Sequence, residues 1–351
     1  MIEMAQSEAS VVASPVDFDS EPWLLNVANG TLDLRTGKLQ EHRRQDLITK
    51  RSPVEYDAHS AAPVFLQFLD RIMEGNERVL GFLRRLIGYS MVGTTREQLL
   101  AVLWGNGSNG KTTFLEAIKK VFGDYAQHTP ASTFMVQRGD RIPNDVARLQ
   151  GARLVVASES EEQRRLSESL LKNLTGGDSV SARFLYREYF EFRPEFTPFL
   201  ATNHRPIIQG ADHAIWRRLK LVPFTVTIPD EEQDKELPAK LEGELPGILS
   251  WAVLGCLEWQ HDGLREPAEV RAATNSYRAD MDVLGDFLEE CTEADRAAET
   301  TASEIYQTFG QWSERSGEKQ RSQKWLGLRL SEHGFLKDRN GTGGSRGRES
   351  R

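Results

Sequence analysis

From Gly105 to Thr112 the chain reads Gly-Asn-Gly-Ser-Asn-Gly-Lys-Thr: Gly105 and Gly110 with four residues between them, then a lysine and a hydroxyl. That is the G-x-x-x-x-G-K-[ST] spacing of a phosphate loop. Gly105, Gly107 and Gly110 let backbone N–H groups curl around an anion with no Cβ in the way. Lys111 supplies a cation for the β- and γ-phosphates, and the Thr112 hydroxyl an oxygen ligand for Mg2+. The chemistry implied is binding of ATP with Mg2+. Its cradle is Gly105, Asn106, Gly107, Ser108, Asn109, Gly110, Lys111, Thr112 and Thr113. Such a loop needs a strand to deliver it and a helix to receive it. The apolar run Leu99–Trp104 reads as a buried parallel strand. Phe114, Leu115, Ile118, Val121 and Phe122 then fall at helical spacing, with Gly123 as a stop.

Hydrolysis also needs a carboxylate at a neighbouring strand tip, to hold the metal shell and polarise the attacking water. The buried-strand candidate Ala152–Ala157 ends in Ser158-Glu159-Ser160-Glu161-Glu162. Glu159 suits that role and is read as both catalytic and metal-holding, with Thr112. Glu161 and Glu162 read as the exposed first turn of a helix from Glu161 to Leu174, where acids are favoured anyway. That helix stops at Gly176-Gly177. A third strand, Phe196–Thr202, ends in Asn203-His204-Arg205-Pro206, and Asn203 is placed to sense a γ-phosphate. Arg217 and Arg218 precede an apolar strand, Leu219–Phe224. They are either surface charges or fingers that reach the ATP of a neighbouring subunit. Ser179–Leu185 and Phe190–Phe192 read as two strands around Tyr186-Arg187-Glu188-Tyr189. This exposed tip is either simply solvated or stacks on bases and touches phosphates.

The 351 residues are 39% hydrophobic and 27% charged, ordinary for a globular chain and enough for two or three domains. The net charge of −8 excludes a global basic signature, so nucleic acid contacts must come from a local patch. Cys256 and Cys291 form no C-x-x-C pair, which argues against a disulfide framework or zinc site. No apolar run reaches membrane-span length and no signal pattern opens the chain, so a cytoplasmic protein without membrane partners is expected.

In chain order, residues 1–20 read as a disordered leader. Residues 21–93 read as a small β element, with turns at Asn29-Gly30 and Thr36-Gly37, followed by two helices. The stripe Phe65, Leu66, Phe68, Leu69, Ile72 and the stripe Val79, Leu80, Phe82, Leu83, Leu86, Ile87 flank a break at Glu74-Gly75-Asn76. These stripes are core, or else subunit contacts of an oligomerisation subdomain. Residues 94–228 form the α/β ATPase core with a parallel sheet. Residues 229–292 form a helical lid led by Leu245–Trp259, 293–339 a winged-helix-like module, and 340–351 a basic tail. That tail, with Arg346, Arg348 and Arg351, is either a wing cut short or simply flexible.

From about Trp23 onward the chain resembles the phage/plasmid primase–helicase family, whose motor belongs to the superfamily III helicases, kin to poxviral primase–helicases. The matching pieces are NGTLDLRTG, GNGSNGKTT, NDVARLQGARLVVASESEE, LTGGDSVSARFLYREYFEFRP, FLATNHRP and IWRRLKLVPF. The resemblance implies an AAA+-like phosphate-loop ATPase forming a ring, usually a hexamer, that pulls single-stranded DNA through its centre. It implies Lys111 and Thr112 as the Walker A pair, Glu159 as the Walker B acid and Asn203 as the sensor. Arg218, or else Arg217, is then the finger in trans. Tyr186–Tyr189 matches a pore hairpin, with Arg187 as phosphate contact and Arg183, Tyr186 and Tyr189 beside it. Ser158 departs from the two adjacent acids frequent at this position, which leaves metal holding to Thr112, Glu159 and water. Longer relatives carry a polymerase-type primase domain; no segment upstream of Trp23 is long enough for one. The expectation is a motor for phage or plasmid replication in a bacterial cytoplasm, served by a separate primase or polymerase. The other class open is a nucleotide switch or loader that binds replication partners without unwinding.

Overall fold

A five-stranded sheet, parallel throughout, organises the first of two units. The computed structural model describes residues 14, 17–137, 144–158, 164–208, 213–293, 299–318 and 320–336. Most of the expected leader and the whole 340–351 tail lie outside the described residues. The first unit runs to Ile208 and resumes from Ala214 to Thr274; the second takes Gln209–His213 and Asn275 onward.

The chain first forms an antiparallel meander of β1 (Leu24–Val27), β2 (Gly30–Asp33) and β3 (Lys38–Gln40). Its first turn is Ala28-Asn29, and Gly30 already pairs with Val27. A Cβ on Gly30 would strike the Gln40 carbonyl, which explains the glycine. Helices α1 (Pro63–Ile72) and α2 (Glu77–Ser90) follow, separated at Glu74-Gly75-Asn76 as the spacing predicts. Asn76 caps α2 by accepting from the Val79 N–H at 3.2 Å. The α1 cap is borrowed from far along the chain: the Glu244 carboxylate accepts from the N–H groups of Val64 and Phe65 at 3.0 and 2.8 Å. Phe65, Phe68, Leu69, Ile72, Phe82, Leu83, Leu86 and Ile87 are buried in one core with the sheet, while Leu66 faces outward. Those buried positions are therefore core of this unit.

The sheet comprises β4 (Leu100–Trp104), β5 (Ala126–Pro130), β6 (Leu154–Ser158), β9 (Thr197–Thr202) and β10 (Leu219–Pro223), in the order β10-β4-β9-β6-β5. Both faces are buried. Ala101 and Leu103 pack on the side of α3 (Lys111–Phe122), and Leu100 and Val102, which alternate with them, are buried as well. A short α4 (Asn144–Ala147) precedes β6. The helix expected from Glu161 begins only at Glu168, as α5 (Glu168–Gly176). Before it the chain is extended. The Leu166 N–H bonds to the Ile207 carbonyl and the Ser167 N–H to the Phe134 carbonyl, at 2.9 and 2.8 Å. These distant partners override a helical sequence pattern. A two-stranded hairpin of β7 (Val180–Ala182) and β8 (Phe190–Phe192) follows, then α6 (His213–Trp216) before β10.

After β10 come α7 (Leu237–Gly243), α8 (Leu245–Asp262) and α9 (Ala268–Asp280). The expected lid helix α8 is a core element. Gly88 of α2 and Gly255 of α8 meet where the backbones cross, and a Cβ on either would enter the other helix. Arg153, buried just before β6, also ties the layers together. Its guanidinium donates to the Met91 and Leu24 carbonyls at 2.7 and 2.8 Å and lies over the Tyr125 ring at 4.6 Å.

The second unit contains α10 (Val283–Cys291), α11 (Ala302–Ser316) and α12 (Gln323–Glu332). Leu284, Phe287, Phe309, Trp312, Leu326 and Leu330 form its own core. Thr301 and Glu304 close a capping box at the start of α11. The wing expected of this module would fall in residues 337–351, outside the described residues.

Candidate functional site

The connections that leave the adjacent strands β4 and β9 run toward opposite edges of the sheet. The chain leaves β4 through α3 to the edge strand β5, then returns through β6 and β9 and crosses to β10 at the opposite edge. The loop after β4 therefore opens at the carboxyl ends of the strands at a switch point, the general ligand position in such sheets. That loop is Gly105–Gly110. Gly105 is pressed so closely on the Phe224 carbonyl that no side chain fits there. Gly110 starts α3 at φ +81°, and a Cβ on it would run into Phe68 and Ile72. Asn106, Gly107 and Ser108 form the exposed crest, with open space around Gly107. Segment 224–228 backs the loop: the Ile228 N–H donates to the Ser108 carbonyl at 2.7 Å, and Asn109 Nδ2 to the Phe224 carbonyl at 3.2 Å.

Lys111 is buried under this crest. Its ammonium donates to the Gly105 carbonyl at 2.5 Å, Asn109 Oδ1 at 3.0 Å, Asn203 Oδ1 at 3.2 Å and the Asn106 carbonyl at 3.4 Å. Burial lowers its pKa from 10.5 to about 8. The loop lysine and Asn203, 92 residues apart in sequence, thus meet at one point. Thr112 is exposed on the first turn of α3 and Thr113 half-buried. Glu159 lies outside the described residues, next to Ser158 at the carboxyl end of β6. Among the described residues, no group of three or more His, Cys, Asp or Glu side chains could hold a metal ion.

The two arginines part company. Arg218 is buried, with Nε donating to Thr175 Oγ1 at 3.1 Å and Nη1 to the Ala214 carbonyl at 2.9 Å. Its head group is thus tied to acceptors of its own chain. Arg217 is exposed and donates to Gln98 Oε1 at 3.1 Å. It sits at the amino end of β10, separated from its own glycine loop by the length of a five-residue strand, about 17 Å.

At the hairpin, Arg183, Tyr186, Arg187 and Tyr189 are all exposed, and Tyr186 is 97% exposed at φ +62°. The Arg183 guanidinium lies over the Tyr189 ring at 4.8 Å, and Phe184 stacks on Phe190 at 5.6 Å. Sequence reading did not single out Trp104 and Arg205. The Arg205 guanidinium lies 4.9 Å from the centre of the Trp104 ring, whose Nε1 donates to the Asn203 carbonyl at 3.1 Å. The only signal in the sequence was an arginine two residues beyond the strand-tip asparagine.

Fold and site define a parallel α/β protein with a glycine loop at its switch point. A sequence family described as D5 N terminal like matches residues 1–74, and a family of unknown function (DUF5906) matches residues 103–218. The "Putative helicase L207/L206" of Acanthamoeba polyphaga mimivirus is 27% identical over 323 residues, covering 84% of this chain and 33% of the viral protein. The "Putative primase C962R" of African swine fever virus (isolate Tick/Malawi/Lil 20-1/1983) is 25% identical over 325 residues, covering 84% and 34%. The chain thus spans about a third of the length of the curated relatives it matches. Among solved structures, the apo NrS-1 C terminal region (305-718) superposes with a TM-score of 0.53 at 11% identity, covering 84% of this chain and 77% of that one. This likeness is one of fold. These matches support a likeness to the primase–helicases of phages and large DNA viruses. Among the described residues, no helix is long and apolar enough to cross a membrane.

Proposed function

We propose that this chain is an AAA+-like, ATP-hydrolysing helicase motor of DNA replication, which assembles as a hexameric ring and moves along single-stranded DNA. The observation that carries the reading is the contact of Lys111 Nζ with Asn203 Oδ1 at the switch point of the sheet. It joins a phosphate-loop lysine to a polar group at the tip of the adjacent strand, the pair needed to register a terminal phosphate. The loop suits a nucleoside triphosphate: an open crest at Gly107, an exposed Thr112, and the N-terminus of a 12-residue helix directed at it. Mg2+, held by Thr112 and Glu159, would neutralise phosphate charge.

The chain's own groups do the rest. Lys111 exchanges loop carbonyls for phosphate oxygens. Glu159 takes the proton of the attacking water, and Asn203, on the strand between β4 and β6, orients that water. Arg217, too far from its own loop, serves the site of a neighbour. The hairpin tip offers Tyr186 and Tyr189 as stacking surfaces, with Arg183 and Arg187 as phosphate contacts that ignore sequence. The second unit, read as a winged-helix module, and a separate primase or polymerase complete the assembly.

The test is ATP turnover with and without single-stranded DNA. DNA should stimulate the wild-type protein several-fold, and Glu159→Gln should bind ATP but not hydrolyse it, since an amide cannot accept the proton. Wild-type turnover by Glu159→Gln would move the acid to Glu161. Turnover indifferent to DNA would favour the switch or loader.

A further inference from the structure

We propose that Arg205 is a second phosphate-binding cation of this site, specific for the terminal phosphate of a nucleoside triphosphate and held for that task by the indole of Trp104. The proposal rests on the reading of the glycine loop as a nucleotide site. Trp104 is the last residue of β4 and pairs in register with Thr202, the last of β9. Lys111 and Arg205 are therefore delivered to the same end of the sheet by adjacent strands. Both are tied to Asn203: Lys111 through the side-chain oxygen at 3.2 Å, and Arg205 through Trp104, which donates to the Asn203 carbonyl at 3.1 Å.

A guanidinium lying on an aromatic face directs its N–H donors outward in its own plane, the fork geometry that matches phosphate oxygens. Arg205 is half-buried, so its desolvation is partial. Charge adds a second reason. Lys111 is the loop's own cation, but it already serves Gly105, Asn106 and Asn109 and sits in surroundings that weaken its protonation. An arginine stays charged at any working pH. A triphosphate's terminal group carries charge beyond what one lysine balances, and a diphosphate lacks that group. Trp104 is a positioning residue here, because it acts through Arg205 and Asn203.

The experiment measures ATP and ADP dissociation constants by calorimetry, with melting midpoints as a check on folding, for wild type, Arg205→Gln, Trp104→Ala and Trp104→Phe. Arg205→Gln should weaken ATP about tenfold, the weight of one charge-assisted contact, and change ADP by less than about twofold. Trp104→Ala should lose the same discrimination. Trp104→Phe retains an aromatic face and should restore most of it, a rescue that a general packing defect would not give. Equal weakening of ATP and ADP in Arg205→Gln, or unchanged ATP affinity, would overturn the proposal, even if Trp104→Ala fails to fold. Absence of ATP binding by wild type, or binding indifferent to Lys111→Ala, would instead remove the nucleotide-site reading on which it rests.

Discussion

The two ends of the central sheet use cations in opposite ways. At the amino ends, Arg153 before β6 and Arg218 before β10 are buried and directed at fixed acceptors of their own chain: the Met91 and Leu24 carbonyls for one, Thr175 and the Ala214 carbonyl for the other. At the carboxyl ends, Lys111 is also buried, but under a loop crest that is exposed and glycine-rich. Its acceptors include two loop carbonyls and two asparagine side chains that a ligand can replace. Burial of a cation therefore does not by itself mark function. What separates the two ends is whether the acceptors belong to the packed frame or to a surface that can open.

Arg217 would break this division most sharply, since it lies at the amino end yet is exposed. Arg217→Ala should lower ATP turnover by roughly 10³-fold with ATP affinity intact, and mixing with Lys111→Ala should return part of the activity. Full activity in a strictly monomeric protein would remove the trans role. Arg218→Ala, by contrast, should cost about 2–4 kcal/mol of stability, read as a shift in the denaturation midpoint, because buried acceptors lose their donor. A shift within error would show that the buried contact contributes nothing.

The hairpin gives a smaller effect. Arg187→Ala should weaken single-stranded DNA binding about tenfold and reduce the salt slope by roughly 0.7, with DNA-independent turnover near wild type. Glu188 beside it dilutes the local positive charge and keeps the effect modest. Unchanged binding would shift the contact to Arg183 or to the second unit. The smallest effect is in pH. ATP binding requires the protonated Lys111, so affinity should fall about fourfold between pH 7 and 8.5, as the pH passes its depressed pKa of about 8. In the free protein the sign is the reverse. The unfolded chain holds this proton up to about pH 10.5, so this group's contribution to stability rises with pH between about 8 and 10.5. A flat affinity profile would mean that Lys111 is not the phosphate cation.

Much of the carboxyl end was legible because it is local. Glycine spacing, an apolar run and a helical stripe lie within 25 residues, and Gly110 and Gly123 bound α3 where the pattern puts its ends. Asn203 could be placed because a strand tip beside a phosphate loop is a recurring position. The amino end was illegible for the opposite reason. Arg217 and Arg218 are identical in type, and what buries one is Thr175, 43 residues away. The start of α5 was missed because Ile207 and Phe134 capture the backbone of Leu166 and Ser167. The packing of α8 into the core was not legible either, because Gly88 and Gly255 let two distant helices touch and neither glycine carries that information alone.

The most direct test of the division is to measure ATP binding and thermal unfolding side by side for Lys111→Ala and Arg218→Ala, both at a temperature where each is folded. The account predicts that Lys111→Ala loses ATP binding by at least about a hundredfold while melting within a few degrees of wild type. Arg218→Ala should melt well below wild type, yet its folded fraction should bind ATP within about threefold of it. The opposite pattern, with ATP binding kept by Lys111→Ala and lost by folded Arg218→Ala, would contradict the assignment of the nucleotide site to the carboxyl end of the sheet.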